Sequence, residues 1–313
     1  MGAGHHHGPP SGDEGRPGDF RRRLAIAFAI TTIIVVAQAV GAWVTGSLAL
    51  LTDTAHALTD ASGLLVALVA GTLMLRPPSS TRTWGYRRIE VIAALAQAAL
   101  LLVVGTYAVV EGIRRLFAPP EVPAGELLVF GVIGLLANLV AIAVLASGRS
   151  ANFNMRAAFL EVVNDALGSL GVIIAALVIA TTGLQQADAV AGLFIAALIV
   201  PRATKLLRET SSVLMEFAPD GLDLDEVRDH VLALEHVREV HDLHASTVAT
   251  GLPTISAHVV VDEECFTDGH AAEVLQQVRT CVAEHFDIAI HHSTFQIEPP
   301  SVSRTERAGT THD

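Results

Sequence analysis

The chain has 313 residues, 51% of them hydrophobic and 17% charged, with a mean hydropathy of +0.49. That is too apolar for an ordinary water-soluble protein and reads as a membrane protein. The formal net charge of -12 arises mostly after residue 215, so no basic surface for nucleic acid is implied.

Residues 1–20 carry Gly, Pro and His with little to bury, and disorder is expected there. His5, His6 and His7 offer weak metal capture or are a plain solvated tail. Arg21, Arg22 and Arg23 then precede an apolar run. AQA at 37–39 has the form of a signal-peptidase site, but the apolar run continues past it, so a retained first span is expected.

Six apolar segments follow, near 24–45, 48–75, 89–110, 126–147, 157–182 and 186–206. Each reaches the roughly 20 residues of a spanning helix. Gly131, Gly134, Gly168, Ser169 and Gly171 are small residues suited to close helix packing. Arg76, Arg82, Arg87 and Arg88 lie between the second and third segments, Arg149 and Arg156 between the fourth and fifth, and Arg202, Lys205 and Arg208 close the sixth. The opposite side offers only Arg114 and Arg115, so both termini are expected on the cytoplasmic side of an inner or plasma membrane.

After Pro219 the pattern becomes that of a soluble domain. LDLDEVRDHVLAL reads as an amphipathic helix, EVHDLHASTVAT and TISAHVVVD as strands, HAAEVLQQVRTCVAEHF as a helix with Asp268 as N-cap, and IAIHHSTFQIE as a strand. The order α-β-β-α-β predicts a small α+β sandwich. The expected plan is a disordered tail over 1–20, a six-helix transmembrane domain over 21–210, an α+β domain over 211–300 and a disordered tail over 301–313. Cys265 and Cys281 lack CxxC spacing and read as free thiols in a reducing compartment.

Asp53, His56, Asp60, Glu161 and Asp165 stand inside apolar runs. An ionised Asp at mid-membrane costs about 2.5 to 3.5 kcal/mol on insertion scales, so these groups must face the bundle interior or water. No Lys or Arg is expected at comparable depth, so a divalent cation is the natural counter-charge, against a proton relay or a structural set of acids. His56 and Asp60, and Glu161 and Asp165, are each four residues apart and share a helix face. Two such pairs from neighbouring helices make four ligands of a tetrahedral site. One imidazole with three carboxylates suits Zn²⁺ first, then Co²⁺, Cd²⁺ or Mn²⁺. Metal needs neutral His56 and ionised carboxylates, so protons compete for the same atoms, and His56 is the expected coupling residue. Asp53, Gln97, Asn138 and Asn164 are polar groups that could orient ligands or simply bond between helices.

AHALTDASG, TWGYRRIEVIAAL, SANFNMRAAFLEVVNDALGSLGVIIAALVI and VHDLHASTVATGLPTISAHVVVD resemble the cation diffusion facilitators, the zinc-transporter family. The resemblance covers essentially all of the chain after residue 20. It implies six transmembrane helices, a cytoplasmic metallochaperone-like ferredoxin-fold domain, a homodimer in the lipid bilayer, and metal export in exchange for protons. Position by position it makes His56, Asp60, Glu161 and Asp165 the transport site. In the C-terminal domain it points to His241, His258 and His291 as regulatory ligands, with His292 and His244 nearby. From the sequence alone, which side of the sheet His241 and His258 face stays open. The chain departs from many zinc-exporting members at Glu161, where a His is common. It also lacks a His-rich loop between the fourth and fifth spans, and the loop between the second and third has no histidine.

The expected function is that of a divalent cation exporter, a metal/proton antiporter and not an enzyme, with Zn²⁺ as transported and regulatory ligand. The alternatives are an exporter preferring Mn²⁺ or Fe²⁺, an intramembrane metal-dependent hydrolase, a metal sensor and a passive channel.

Overall fold

The computed structural model describes residues 32–73, 77–146, 153–286 and 288–307, without the side chains of 60, 63–64, 66–68, 70–72, 144–146, 153–161 and 305–307. The N-terminal tail with His5, His6 and His7, and the beginning of the first expected span, lie outside the described residues. The described residues pack as two compact units. One takes those before residue 75 and Ala93–Leu207, the other those between 76 and 92 and from Arg208 onward.

The first unit is all helical: α1 (Thr32–Thr45), α2 (Leu48–Leu73), α3 (Ile89–Phe117), α4 (Ala124–Ala146), α5 (Phe153–Thr182) and α6 (Gln186–Leu214). Helices α3 to α6 are long and apolar enough to cross a membrane, and only 17–33% of their most apolar stretches is buried. Outward apolar residues such as Trp43, Val103, Phe117 and Leu136 are what a bilayer solvates. This is a multi-pass membrane protein.

Helix α2 differs from its neighbours, for Thr52, Asp53, Thr54, His56 and Thr59 are buried along it. The hydroxyls of Thr52, Thr54 and Thr59 donate to the carbonyls four residues back, which satisfies them without water. The start of α2 is capped twice. Ser47 Oγ accepts from the Leu50 amide at 3.0 Å, and Asp188 at the start of α6 accepts from the Leu48 amide at 2.7 Å and from the Ser47 hydroxyl. Asp188 is 1% exposed, with Arg115 of α3 at 3.8 Å, so a buried charge cluster holds this end of α2.

The second unit carries α7 (Leu224–Leu232), β1 (Val237–Ala249), β2 (Leu252–Val261), α8 (Cys265–Asp268), α9 (His270–Glu284), β3 (His292–Glu298) and α10 (Pro300–Arg307). Asp223 caps α7 by accepting from the amides of Asp225 and Glu226. The sheet has the order β1-β2-β3, with β1 and β2 antiparallel and β2 and β3 parallel. One face of the sheet packs Val240, Ala257, Val259 and Ile297 against Val227 and Val231 of α7 and Val274, Val278 and Val282 of α9. The helical and strand order is the expected one, with the short α8 added. Where an unstructured tail is expected after residue 300, residues 300–307 form α10, which opens on Pro300, a residue suited to a first helical position, and buries Ser303.

The described residues between 76 and 92, by sequence the loop between the second and third spans with the first residues of the third, pack in this second unit. Trp84 meets His292 edge-on at 4.7 Å between ring centroids, Arg88 pairs with Glu216 at 2.8 Å, and Glu90 accepts from the Thr250 amide at 2.7 Å.

Candidate metal sites

Helices α2 and α5 bring two of the four expected transport ligands together. His56 Nε2 lies 2.7 Å from Asp165 Oδ1, and the two side chains are 9% and 17% exposed. Asp53, Asn164 and Gly168 continue the wall of a cleft of about 20 Å³, closed on its far side by Ile195, Leu198 and Ile199 of α6. Imidazole nitrogen and carboxylate oxygen are a donor pair suited in chemistry to a first-row divalent ion, which would spread them slightly on entering. Asp60 follows His56 by one turn of α2, and Glu161 precedes Asp165 by one turn of α5. Their side chains lie outside the described residues.

One cation borders this cleft against expectation. Arg202 stands in its lining on an exposed part of α6, because α6 continues to Leu214 and carries the residue inside the helix and not at its end. The four polar residues expected around the ligands fall in different places. Gln97 of α3 donates to the Thr59 carbonyl, next to Asp60. Asn138 of α4 donates to Ser169 Oγ at 3.3 Å, Asn164 lines the cleft, and Asp53 is 5% exposed. Gln38 and Ser169, both bonded to Asp53, were not expected as polar partners. By sequence, Gln38 belongs to the AQA triplet and Ser169 to the small packing residues, and only a fourth acid within the apolar runs, Asp53, three residues before His56, signals that donors are needed.

A second cluster stands on the polar face of the C-terminal sheet. His241 of β1 is paired in register with His258 of β2, and His258 with Gln296 of β3, so three polar side chains form a row across the strands. Glu298, two residues beyond Gln296 on the same face, joins them while being only 2% exposed. His241 Nε2 is 2.8 Å from Glu298 Oε1, His258 Nδ1 is 3.6 Å from Glu298 Oε2, and Gln296 donates to that same Oε2 at 3.0 Å. One ligand atom from each of His241, His258 and Glu298 lies within 4.8 Å of the others, the only such three-residue group among the described residues. One extra residue enters β1 between His241 and His244, and Asp242 there takes φ of 50°. Asp242 Oδ2 is 3.9 Å from His258 Nε2, and the hydrogen bond to His244 holds its carboxyl below the usual range.

His291 and His292 do not join this group. His292 opens β3, opposite Thr254, and rests against Trp84, while His291 lines a separate polar recess with Arg279 and Glu284. His244 turns to Asp242 at 2.9 Å. Glu298 was missed by sequence reasoning. Its signal was the alternation of β3, which puts an acid on the face of Gln296 where the strand ends in Pro299 and Pro300.

Fold and sites together define a polytopic membrane protein with an attached α/β domain and two His–carboxylate groupings, one in each. Residues 24–215 match the cation efflux transmembrane domain, and residues 219–300 match the cytoplasmic domain of cation efflux proteins. The chain belongs to the cation efflux family, the cation diffusion facilitators. It is 39% identical over 298 residues to the metal cation efflux system protein CzcD of Cupriavidus metallidurans, covering 95% of this chain and 90% of that protein. It is 39% identical over 280 residues to the zinc transporter ZitB of Yersinia pseudotuberculosis, covering 88% and 87%. A cadmium, cobalt and zinc/H⁺-K⁺ antiporter of Bacillus subtilis is 34% identical over 280 residues, covering 89% of each. Among solved structures, the metal-bound C-terminal domain of the Cupriavidus CzcD transporter matches 25% of this chain and 99% of its own, at 35% identity and a TM-score of 0.22.

Proposed function

We propose that this protein exports divalent transition-metal ions, Zn²⁺ foremost and Co²⁺ and Cd²⁺ beside it, in exchange for protons. The observation that carries the reading is the 2.7 Å approach of His56 Nε2 and Asp165 Oδ1 across two apolar helices. In this reading His56, Asp60, Glu161 and Asp165 hold the ion as cargo. The names of the relatives support it, since they are an efflux protein, a zinc transporter and a cadmium, cobalt and zinc antiporter. A carboxylate-rich site between separate helices fits transport, because the ion must leave as well as enter. Proton exchange follows from chemistry, for the atoms that bind metal also bind protons.

The chain crosses the membrane six times with both termini in the cytoplasm, as the Lys and Arg distribution supports. The C-terminal domain takes a ferredoxin-like, metallochaperone-like arrangement and pairs two copies into a homodimer. His241, His258 and Glu298 there bind a regulatory metal ion. The domain limits are 21–210 for transport and 211–300 for regulation.

The test is metal uptake by inverted vesicles with and without a pH gradient, comparing Zn²⁺, Co²⁺, Cd²⁺ and Mn²⁺. The expected result is gradient-driven uptake that Asp165→Ala abolishes. Uptake indifferent to the gradient would indicate a passive channel, and binding without uptake a sensor.

A further inference from the structure

A third polar rung joins α2 to α5 beside the ligand pair. Asp53 precedes His56 by three residues on α2, and Ser169 follows Asp165 by four on α5. The Ser169 hydroxyl donates to Asp53 Oδ2 at 3.4 Å, as His56 meets Asp165 in the next step of the same ladder. The positions of Asp60 and Glu161 continue that stepping in the other direction. Asp53 thus lies on the side of the ligand set toward the start of α2, in line with it.

This rung is built with care from four helices. Gln38 of α1 donates to Asp53 Oδ2 at 3.0 Å, and Asn138 of α4 donates to Ser169. Gln38, Asp53 and Ser169 are 3%, 5% and 0% exposed, and no ion pair to Asp53 occurs among the described residues. Two glycines make room for it. A Cβ on Gly168 would stand 2.9 Å from Asp53 Oδ1, and one on Gly134 would stand 2.9 Å from Gln38 Nε2 and 3.0 Å from Ser169 Oγ. Both donors, Gln38 and Ser169, use Oδ2, while Asp53 itself lines the cleft with His56 and Asp165. The Gln38 carbonyl oxygen is buried without a partner among the described residues, which leaves a further acceptor on the seam.

A carboxyl held only by neutral donors in an apolar bundle is costly to keep, and ionisable groups inside spans mark ion pathways. We propose that Asp53 is a positioning residue for the transported cation, which it guides with its waters between the ligand set and the membrane face at which α2 begins. The inference rests on the transport reading of the cleft, in whose orientation that face is the release side. Gln38 and Ser169 hold Asp53 in place, and Gly168 gives its Oδ1 access to the cleft.

The experiment uses the full chain and Zn²⁺. Equilibrium dialysis in detergent gives binding, and initial rates in proteoliposomes give KM and kcat. Asp53→Asn keeps an acceptor for Gln38 and Ser169 but loses the carboxylate, and is expected to lower kcat about tenfold with Zn²⁺ affinity changed less than about twofold. Gly168→Ala is expected to do the same by crowding Oδ1, and the double variant to be no worse than either alone. Ser169→Ala, which removes one donor, should give about a threefold fall in kcat and carries the test if Asp53→Asn does not fold.

A wild-type kcat in Asp53→Asn would make the rung a packing feature and overturn the proposal. Loss of Zn²⁺ binding together with kcat would overturn it too, by making Asp53 a ligand, and so would multiplicative losses in the double variant. Asp165→Ala separates the two levels. If it binds and moves Zn²⁺ like the wild type, the reading of the cleft fails whatever Asp53 does.

Discussion

His56 meets Asp165 across two separate helices, whereas His241, His258 and Glu298 stand on one hydrogen-bonded sheet. Both groupings join imidazole to carboxylate, but their scaffolds differ in what they let the ligands do. On the sheet the strand register holds the two histidines opposite each other, and Glu298 is pinned by His241 and Gln296. Such a site keeps its geometry when the domain moves, which suits sensing. Between α2 and α5 the His56–Asp165 distance depends on how two helices pack, and in the proposed transport cycle rocking one against the other would change it. Ligands on separable elements make a site that can release its ion.

The largest expected effect falls on the cleft. Asp165→Ala should reduce metal flux into vesicles to background, and retention of flux would remove the contrast between the sites. His56→Asp keeps a metal-binding oxygen but removes the imidazole, and should preserve metal transport with an altered proton-to-metal ratio. An unchanged ratio would take the coupling role from His56.

On the sheet, His241→Ala with His258→Ala removes two of the three proposed ligands and should abolish binding of one Zn²⁺ while transport persists at reduced rate. Dialysis of the full chain checks the count of bound ions. If transport also stops, the C-terminal site is part of the path and not a regulator. Beneath that sheet, Val278 of α9 is fully buried, and Val278→Ala should destabilise the domain by about 2 kcal/mol through lost burial and a small cavity. Denaturant unfolding of the purified chain measures it.

The smallest effect concerns pH. The hydrogen bond to Asp268 raises the His270 imidazole above its ordinary value. A raised histidine stabilises the fold below its unfolded pKa of about 6.5 and loses that contribution as pH rises through the folded value. Protection of the start of α9 from hydrogen exchange should therefore differ most between wild type and His270→Asn below about pH 6.5 and converge as the pH rises through the folded value.

Much of this could be read from the chain, and the reasons are local. A run of some 20 apolar residues has few folds open to it besides a membrane helix, so the helices α3 to α6 were legible from composition. Acids inside such runs are costly enough to stand out, which is why His56 and Asp165 were visible before their contact was known. Strand alternation and turn residues likewise gave the order of α7, β1, β2, α9 and β3. None of these inferences needs to know what packs against what.

Tertiary structure decided the rest. His241 and His258 face the same side because the register of β1 and β2 puts them opposite each other, a relation set between strands and not within either. Glu298 became a ligand candidate and His292 a neighbour of Trp84 through the parallel pairing of β3, which places one end of that strand by the histidines and the other elsewhere. Gln38 and Ser169 reached Asp53, and Arg202 the cleft, through the packing of α1, α5 and α6, which no single-helix pattern encodes. Periodicity along one element names the face that is polar, and only the contact between elements says which polar groups meet.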